Sequence, residues 1–105
     1  MRFYDHETWI TSHYFSEQDR STVEPNSFIA NDIIYGLYES YDENDKLVRC
    51  GTSKNVYYCV KSLQAFPNEI KWIIRASYRN DESSMRSMKY YKQQLKRYYQ
   101  GKRTL

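Results

Sequence analysis

Residues 32–55, DIIYGLYESYDENDKLVRCGTSKN, decide the fold that we expect for this chain. The β-branched and aromatic residues of 33–41 alternate roughly towards the end of the run, which predicts a strand. The polar cluster DEND at 42–45 predicts a turn. Residues 46–50 then return as a second strand, so the whole stretch predicts a β-hairpin.

The patterns after the hairpin predict a helix and a further strand. The triplet GTS at 51–53 should break the second strand and supply a Thr or Ser cap for a helix that begins near Lys54. Pro67 should end this helix, because the residue before a proline is pushed out of the α conformation. Residues 69–78, EIKWIIRASY, contain no breaker and give the clearest strand pattern in the chain.

A long amphipathic helix is predicted for the end of the chain. Asp81 or Ser83 should cap its start, and Gly101 should end it. Apolar residues recur at three- and four-residue spacing, Met88 and Leu95 among them, so that one stripe faces the core. The order strand, strand, helix, strand, helix predicts an α+β fold with a small three-stranded sheet.

The first third of the chain has a different character. We expect residues 1–31 to form an N-terminal arm and residues 32–105 the main body of a single compact domain. Asp5 should cap a short helix that turns Trp9 inward. The polar, proline-containing run 16–27 predicts a loop. The sequence leaves open whether the arm completes the core or waits for a partner.

Composition sets the class of protein that we expect. Apolar residues make up 40%, and twelve tyrosines compensate for this modest fraction, which predicts an aromatic core. No apolar run approaches the roughly 20 residues that span a bilayer, and the N-terminus lacks the apolar centre of an export signal. We therefore expect a cytoplasmic protein without membrane contact, in the host cell if the protein is viral.

The cysteines and histidines do not predict a cofactor site. Cys50 and Cys59 lie nine residues apart without a Cys-x-x-Cys pair or a neighbouring His, which predicts buried thiols instead of a zinc site. His6 and His13 should lie at the surface without partners. We expect no cofactor and no bound metal.

Charge is distributed unevenly along the chain. Residues 83–105 carry seven basic side chains and no acidic one, whereas the first 82 hold nine basic against thirteen acidic, a net of −4. The basic set is Arg86, Lys89, Lys92, Lys96, Arg97, Lys102 and Arg103. Cations interleaved with tyrosines suit contacts to phosphates and stacking of bases. The alternative is that these cations solvate an exposed helix and complement its dipole.

Short motifs add a family resemblance to this element order. Gly36-Leu37-Tyr38 resembles the Gly-Ile-Tyr motif of the GIY-YIG endonucleases, and Arg49-Cys50-Gly51 follows after ten residues, in the place of Tyr-Ile-Gly. The sequence at 51–55, GTSKN, is similar to the Gly-x-Ser-x-Asn start of the family's next helix. The resemblance covers about residues 33–99 and implies a GIY-YIG type of fold.

The catalytic residues that the resemblance implies are mostly absent. Tyr38 matches the first motif tyrosine, but Arg49 stands in the place of the second. Cys59 takes the place of the arginine that stabilises the scissile phosphate, and Met88 or Lys89 that of the metal-binding glutamate. Magnesium needs hard oxygen ligands, and losing the arginine costs orders of magnitude in rate. We therefore expect Tyr38 and Arg49 to be vestiges, in a domain that has lost its nuclease activity.

Arg49 has two further interpretations. It could bind a phosphate together with Lys54 in the remaining cleft. It could instead pair with a hairpin carboxylate at one of the positions 42, 43 and 45.

Three functional hypotheses follow, and the sequence keeps all of them open. The first is a non-catalytic domain that binds DNA or RNA, or a nucleic-acid-processing complex, through the basic final helix, with Lys54 and Arg49 contributing. The second is a protein-interaction module of a virus or mobile element, an inhibitor or adaptor, with a dimer as its milder form. The third is a diverged metal-dependent endonuclease that uses Asp81 or Glu82 as a ligand and Lys61 or Arg49 as the cation.

Overall fold

The computed structural model describes residues 9–23, 34–77 and 81–103. They form an α+β domain with a four-stranded antiparallel sheet and two α-helices, so the predicted class is confirmed. The elements are β1 (Trp9–Ser16), the 3-10 helix η1 (Glu17–Thr22), β2 (Gly36–Tyr41), β3 (Leu47–Ser53), α1 (Val56–Ser62), β4 (Lys71–Ser77) and α2 (Glu82–Arg103). No helix in these described ranges combines the length and the apolarity needed to cross a membrane.

The strands lie in the order β1-β4-β2-β3, and all neighbours are antiparallel. The predicted hairpin of β2 and β3 is confirmed. Its turn is held by Asp42, whose Oδ1 accepts the backbone N–H groups of Asn44 at 2.8 Å and Lys46 at 3.0 Å. Asp45 adopts a left-handed φ of 60°, a conformation that Asp tolerates better than most residues.

The arm contributes a strand, and the prediction of a helix carrying Trp9 inward is wrong. β1 begins at Trp9 and pairs with β4 in a register that ends at Ser16 opposite Lys71. The β-branched and aromatic residues of WITSHYFS favour a strand once a partner strand is present. That partner lies more than fifty residues further along the chain, where local capping signals carry no information about it. The sheet therefore has four strands instead of the predicted three, and the proposed cap Asp5 lies outside the described residues.

The GTS triplet does not break β3, which continues through Gly51 to Ser53. Gly51 is required for another reason: a Cβ at this position would lie 2.5 Å from the hydroxyl oxygen of Tyr38. The glycine therefore lets the tyrosine ring lie against the neighbouring strand. The Oγ of Ser53 accepts the N–H of Asn55 at 3.0 Å, just before α1 begins.

Two predicted helix ends are also wrong. α1 ends at Ser62, five residues before Pro67, which lies in a separate turn. α2 continues past Gly101 to Arg103. The predicted cap at Asp81 is confirmed, since its Oδ1 accepts the N–H of Ser84 at 2.8 Å. The predicted loop at 16–27 contains η1 in its first part, and its last four residues lie outside the described ranges.

The core has two parts, one on each face of the sheet. The α1 face buries a cluster in which Trp72 and Ile74 of β4 meet Val56 and Val60 of α1. The α2 face buries a smaller cluster, formed by Tyr41, Leu47, Cys50 and Leu95. Because side chains alternate along a strand, Tyr38 and Tyr41 of β2 point to opposite faces. Predicted site residues can therefore contact one another only if their side chains lie on the same face of the sheet.

Candidate functional site

Tyr38 lies on the α1 face of the sheet, against the core cluster. Its ring centroid is 6.4 Å from that of Trp72. Burial raises the pKa of the Tyr38 hydroxyl above its ordinary value of 10.0, with a contribution from Cys59 in the same direction, while Arg49 opposes the rise. The structure thus places Cys59 and Arg49 close enough to Tyr38 to affect its pKa. The phenol stays protonated at neutral pH and can donate a hydrogen bond.

Arg49 is held by a buried carboxylate. Its Nη2 lies 2.8 Å from Oε1 of Glu69 and its Nε 3.1 Å from Oε2, a bidentate pair. Nη2 also donates to the backbone oxygen of Gln64 at 3.2 Å. The guanidinium lies 4.4 Å from the ring centroid of Phe66 and 5.8 Å from that of Trp72. The predicted pairing of Arg49 with a hairpin carboxylate is therefore wrong.

Glu69 is the centre of this cluster, and its side chain is completely buried. Its two oxygens accept four hydrogen bonds: two from Arg49, one from the Ser40 hydroxyl and one from the N–H of Phe66 at 2.6 Å. A buried carboxylate needs such partners to remain charged. The positive charge of Arg49 is thereby neutralised inside the protein.

The arm covers the same face of the sheet. The indole N–H of Trp72 donates to Glu17, and Arg20 lies over the indole ring with its Cζ 5.5 Å from the centroid. Arg20 also pairs with Glu17 at 2.9 Å and donates to the backbone oxygen of Val60 at 2.5 Å, near the end of α1. Sequence reasoning missed these residues because each of them acts on a partner that is distant in sequence.

Met88 and Lys89, the positions that correspond to the family's metal ligand in the resemblance, do not lie near Tyr38. Met88 is completely buried in α2, which packs on the opposite face of the sheet from Tyr38. Lys89 is exposed to solvent. Within the described residues, no group of three or more His, Cys, Asp or Glu side chains could hold a metal ion. The structure therefore does not bring these two positions together with Tyr38.

The predicted solvent face of α2 is confirmed. Met88 and Leu95 are buried, whereas five polar residues along the opposite side are exposed: Arg86, Lys89, Gln93, Lys96 and Arg97. At about 1.5 Å of rise per residue, the cations from Arg86 to Arg97 extend over about 16 Å. We call Arg86, Lys89, Lys92, Lys96 and Arg97 the basic stripe. Lys92 is half-buried at its edge.

The basic stripe differs from the cations of the sheet and of η1 in how its charges are compensated. Arg20, Arg49, Lys71 and Arg75 each form an ion pair with a carboxylate. In the described part of the chain, no residue of the basic stripe has an ion-pair partner. Lys54 is likewise exposed, in the turn between β3 and α1.

Lys92 and Lys96 also act on the sheet beneath α2. Burial raises the pKa of the Cys50 thiol to about 11, while Lys96 and Lys92 oppose the rise and Glu39 adds to it. Glu39 is completely buried, accepting from Arg75 at 2.7 Å and from the Tyr41 hydroxyl at 2.5 Å. The thiol stays protonated at neutral pH, and both cysteines are free.

His13 does not lie on the surface without partners, contrary to the prediction. It is half-buried, with its ring centroid 5.8 Å from Phe15 and 6.3 Å from Tyr57 in edge-to-face contacts. It belongs to the packing of the α1 face. His6 lies outside the described residues.

A comparison with protein-family models, with curated proteins and with solved structures finds no match to this chain. The GIY-YIG resemblance therefore stays a prediction, based on the motif residues and the order of elements.

Proposed function

We propose that this chain is a non-catalytic GIY-YIG-like domain that binds nucleic acid, or a nucleic-acid-processing complex, through the basic stripe of α2. One observation carries the proposal: five cations lie along one side of a helix without a carboxylate partner among the described residues. Cations that are not neutralised within the protein can replace the counterions of a phosphate backbone. A stripe of about 16 Å reaches two or three successive phosphates.

An exposed tyrosine beside the stripe supports the same partner. Tyr90 is 58% exposed and its ring centroid lies 5.9 Å from that of Tyr91. On the helix, Tyr90 projects about 20° beyond Arg97, at the margin of the stripe. An exposed aromatic ring next to cations stacks on unpaired bases, at about 1–3 kcal/mol for each base. This arrangement favours single-stranded nucleic acid over a duplex.

The α1 face supports binding without cleavage. Arg49 is neutralised by Glu69, Cys59 stands where the resemblance implies a catalytic arginine, and Met88 is buried on the other face. None of these groups supplies an accessible cation or a hard metal ligand to a phosphate near Tyr38. A cleavage assay with Mg²⁺ or Mn²⁺ should therefore show no product, and Tyr38→Phe should behave like the wild type. Metal-dependent cleavage that Tyr38→Phe abolishes would establish the endonuclease instead.

Salt dependence tests the binding directly. Fluorescence anisotropy with labelled single- and double-stranded 20-mers of DNA and RNA should show affinity that falls steeply between about 50 and 300 mM salt. For the two or three phosphates that the stripe reaches on a single strand, the slope of log K against log salt should be about −1.4 to −2.1. The triple variant Lys89→Glu/Lys96→Glu/Arg97→Glu should abolish binding. Affinity that is undetectable at low salt, or insensitive to salt, contradicts the proposal.

The protein-interaction hypothesis is supported by other exposed aromatic residues. Tyr14 is 65%, Tyr58 68% and Phe66 49% exposed, and all three lie outside α2. Exposed aromatic residues are enriched at protein interfaces. An adaptor would bind its partner in the triple variant as well as in the wild type, whereas a nucleic-acid-binding domain loses its partner in that variant.

A further inference from the structure

The two edge strands of the sheet differ in the backbone groups that they leave open. Ser77 donates to Tyr35 at 2.7 Å and Glu17 donates to Ile70 at 3.0 Å, which fixes the alternation of hydrogen bonds along β4 and β1. Since successive residues of a strand bond to opposite sides, Ser12 and Tyr14 turn their N–H and C=O groups away from β4. In the described part of the chain, no strand pairs with this outer edge of β1.

From Thr11 to Ser16, β1 lacks the features that usually protect an open edge. Its sequence, WITSHYFS, contains no charged residue and no proline. Its register with β4 shifts once, between Trp9 and Thr11, and then runs without a shift from Thr11 to Ser16. Natural edge strands are commonly short, bulged or charged, because a regular and neutral edge recruits another strand. β1 is eight residues long, and Tyr14, its sixth residue, is 65% exposed.

β3, the other edge, carries such protection. The register between β2 and β3 shifts after Ser40, so that Val48 is an extra residue without a partner. A bulge of this kind disturbs the regular spacing that a new strand needs. Lys92 and Lys96 lie close enough to Cys50 of β3 to affect its pKa. β3 therefore has lysines beside its bulge, whereas β1 is neutral and regular over its last six residues, which makes β1 the edge that is open to pairing.

Aromatic surface lies beside the open edge. A cavity of about 380 Å³ next to β1 is lined in part by Lys71 and Asp45 and mainly by apolar and aromatic residues: Tyr14, Phe15, Tyr41, Trp72, Ile73 and Tyr99. α2 contacts β3 and β2, and its Tyr99 lines this cavity. Apolar surface next to an unpaired strand is typical of an interface that strand addition completes.

We propose that two copies of the chain pair antiparallel through β1, forming one eight-stranded sheet about a two-fold axis. The Tyr14 side chains of the two copies then pack against each other beside the two cavities. A neutral strand pairs with its own copy without charge repulsion, and an isologous contact closes after two subunits. A charged peptide would gain nothing from an edge that has no charge to complement.

The charges of α2 do not oppose this dimer. The two α2 helices lie above β2 and β3, separated by about six strand spacings of about 4.8 Å, or about 29 Å in a flat sheet. The Debye length at physiological salt is about 8 Å, so the two basic stripes do not repel each other appreciably. Pairing about an axis normal to the sheet places both stripes on the same face. The proposal does not depend on nucleic-acid binding.

Sedimentation equilibrium of the full chain tests the dimer, between about 5 and 200 μM. We expect twice the 12.8 kDa of one chain at the upper concentration. Tyr14→Lys adds an edge lysine and should weaken dimerisation at least about tenfold. The matched control is Tyr58→Lys, which changes an equally exposed tyrosine on α1 and should dimerise like the wild type. A monomer at all concentrations overturns the proposal, as does a dimer that Tyr14→Lys leaves unchanged.

Amide exchange in the wild type identifies the interface without relying on a variant that folds. The N–H groups of Ser12 and Tyr14 should exchange more slowly as the protein concentration rises. Those of Cys50 and Thr52 at the β3 edge should not change. Protection that rises at the β3 edge instead, or at neither edge, contradicts pairing through β1. Nucleic-acid binding is measured separately, so that either proposal can fail while the other holds.

Discussion

The cations of the sheet and the cations of α2 have opposite surroundings. Arg49 and Arg75 donate to the fully buried carboxylates of Glu69 and Glu39. Lys89 and Arg97 extend into solvent from a segment that has no acidic residue after position 82. The first pair makes an interior with buried charges compatible with folding. The second pair contributes little to stability and creates a positive surface. The comparison separates the charges that hold the fold from the charges available to a partner.

The largest effect should follow from breaking a buried pair. Arg49→Ala leaves the Glu69 carboxylate buried with only two of its four donors. We expect the free energy of unfolding, measured by urea denaturation, to fall by about 3 kcal/mol. The matched variant Arg97→Ala on α2 should change it by less than about 0.5 kcal/mol. Equal losses in the two variants would contradict the distinction between the two regions.

Alkaline pH should weaken the interior through Cys50, which lies beneath the basic stripe. The folded-state pKa of its thiol is about 11, above the ordinary 9.0, because burial disfavours the thiolate. Stability from this group is therefore fully present below pH 9 and is lost as the pH rises to 11. The difference of two pH units between these pKa values corresponds to a loss of about 2–3 kcal/mol in the free energy of unfolding.

Urea denaturation at pH 8 and pH 10.5 measures this loss. Cys50→Val, which keeps a side chain of similar size, should lose less stability over that interval than the wild type does. The raised pKa values of Tyr38 and Tyr57 act in the same direction and remain in both proteins. An identical loss in the variant would show that Cys50 is not responsible.

A single charge reversal on the stripe should change binding without changing the fold. Lys89→Glu should weaken nucleic-acid affinity by about tenfold, or about 1.4 kcal/mol, and leave the urea midpoint within error. Lys46→Glu, at an exposed position of the hairpin turn and outside the basic stripe, applies the same change in net charge as a control. If Lys46→Glu weakens binding as much, net charge and not the stripe attracts the nucleic acid.

The smallest effect concerns the start of α2. Asp81→Ala removes the cap on the N–H of Ser84 and should cost about 1 kcal/mol of stability. It also removes an acidic residue near the stripe, so affinity for nucleic acid should rise slightly at low salt. Stability and affinity should thus move in opposite directions. If stability and affinity both fell, α2 would bind nucleic acid only when its first turn is intact.

Local patterns predicted those elements whose partners are close in sequence. The hairpin follows from two apolar runs around the DEND turn, and the exposure of the α2 cations follows from helical periodicity around Met88 and Leu95. β4 was predicted from a run without breakers, with its start two residues too early, while the last predicted residue lies outside the described ranges. These features depend on propensity and periodicity, which a single segment contains in full.

The remaining features depend on contacts between distant segments. β1 is a strand because β4 lies beside it, and Glu69 is buried because Arg49 and Ser40 reach it from two other strands. Gly51 was predicted to end the second strand, although its role is to make room for the Tyr38 ring. The basic stripe was found from sequence, whereas the neutralisation of Arg49 could not be. To predict that Arg49 is neutralised, one must know which strands are neighbours, whereas the basic stripe follows from a single segment.

The pairing of β1 with β4 also has a consequence for how the chain is made. Ser16, the last residue of β1, leaves the ribosome 55 residues before Lys71, the first residue of its partner strand. At about 5–20 residues per second, β1 waits roughly 3–11 s for a native partner. During that interval a neutral aromatic strand is exposed in the crowded cell, next to other nascent chains. Slower translation should therefore reduce the yield of folded protein, and charged substitutions in β1 that retain the fold should restore it.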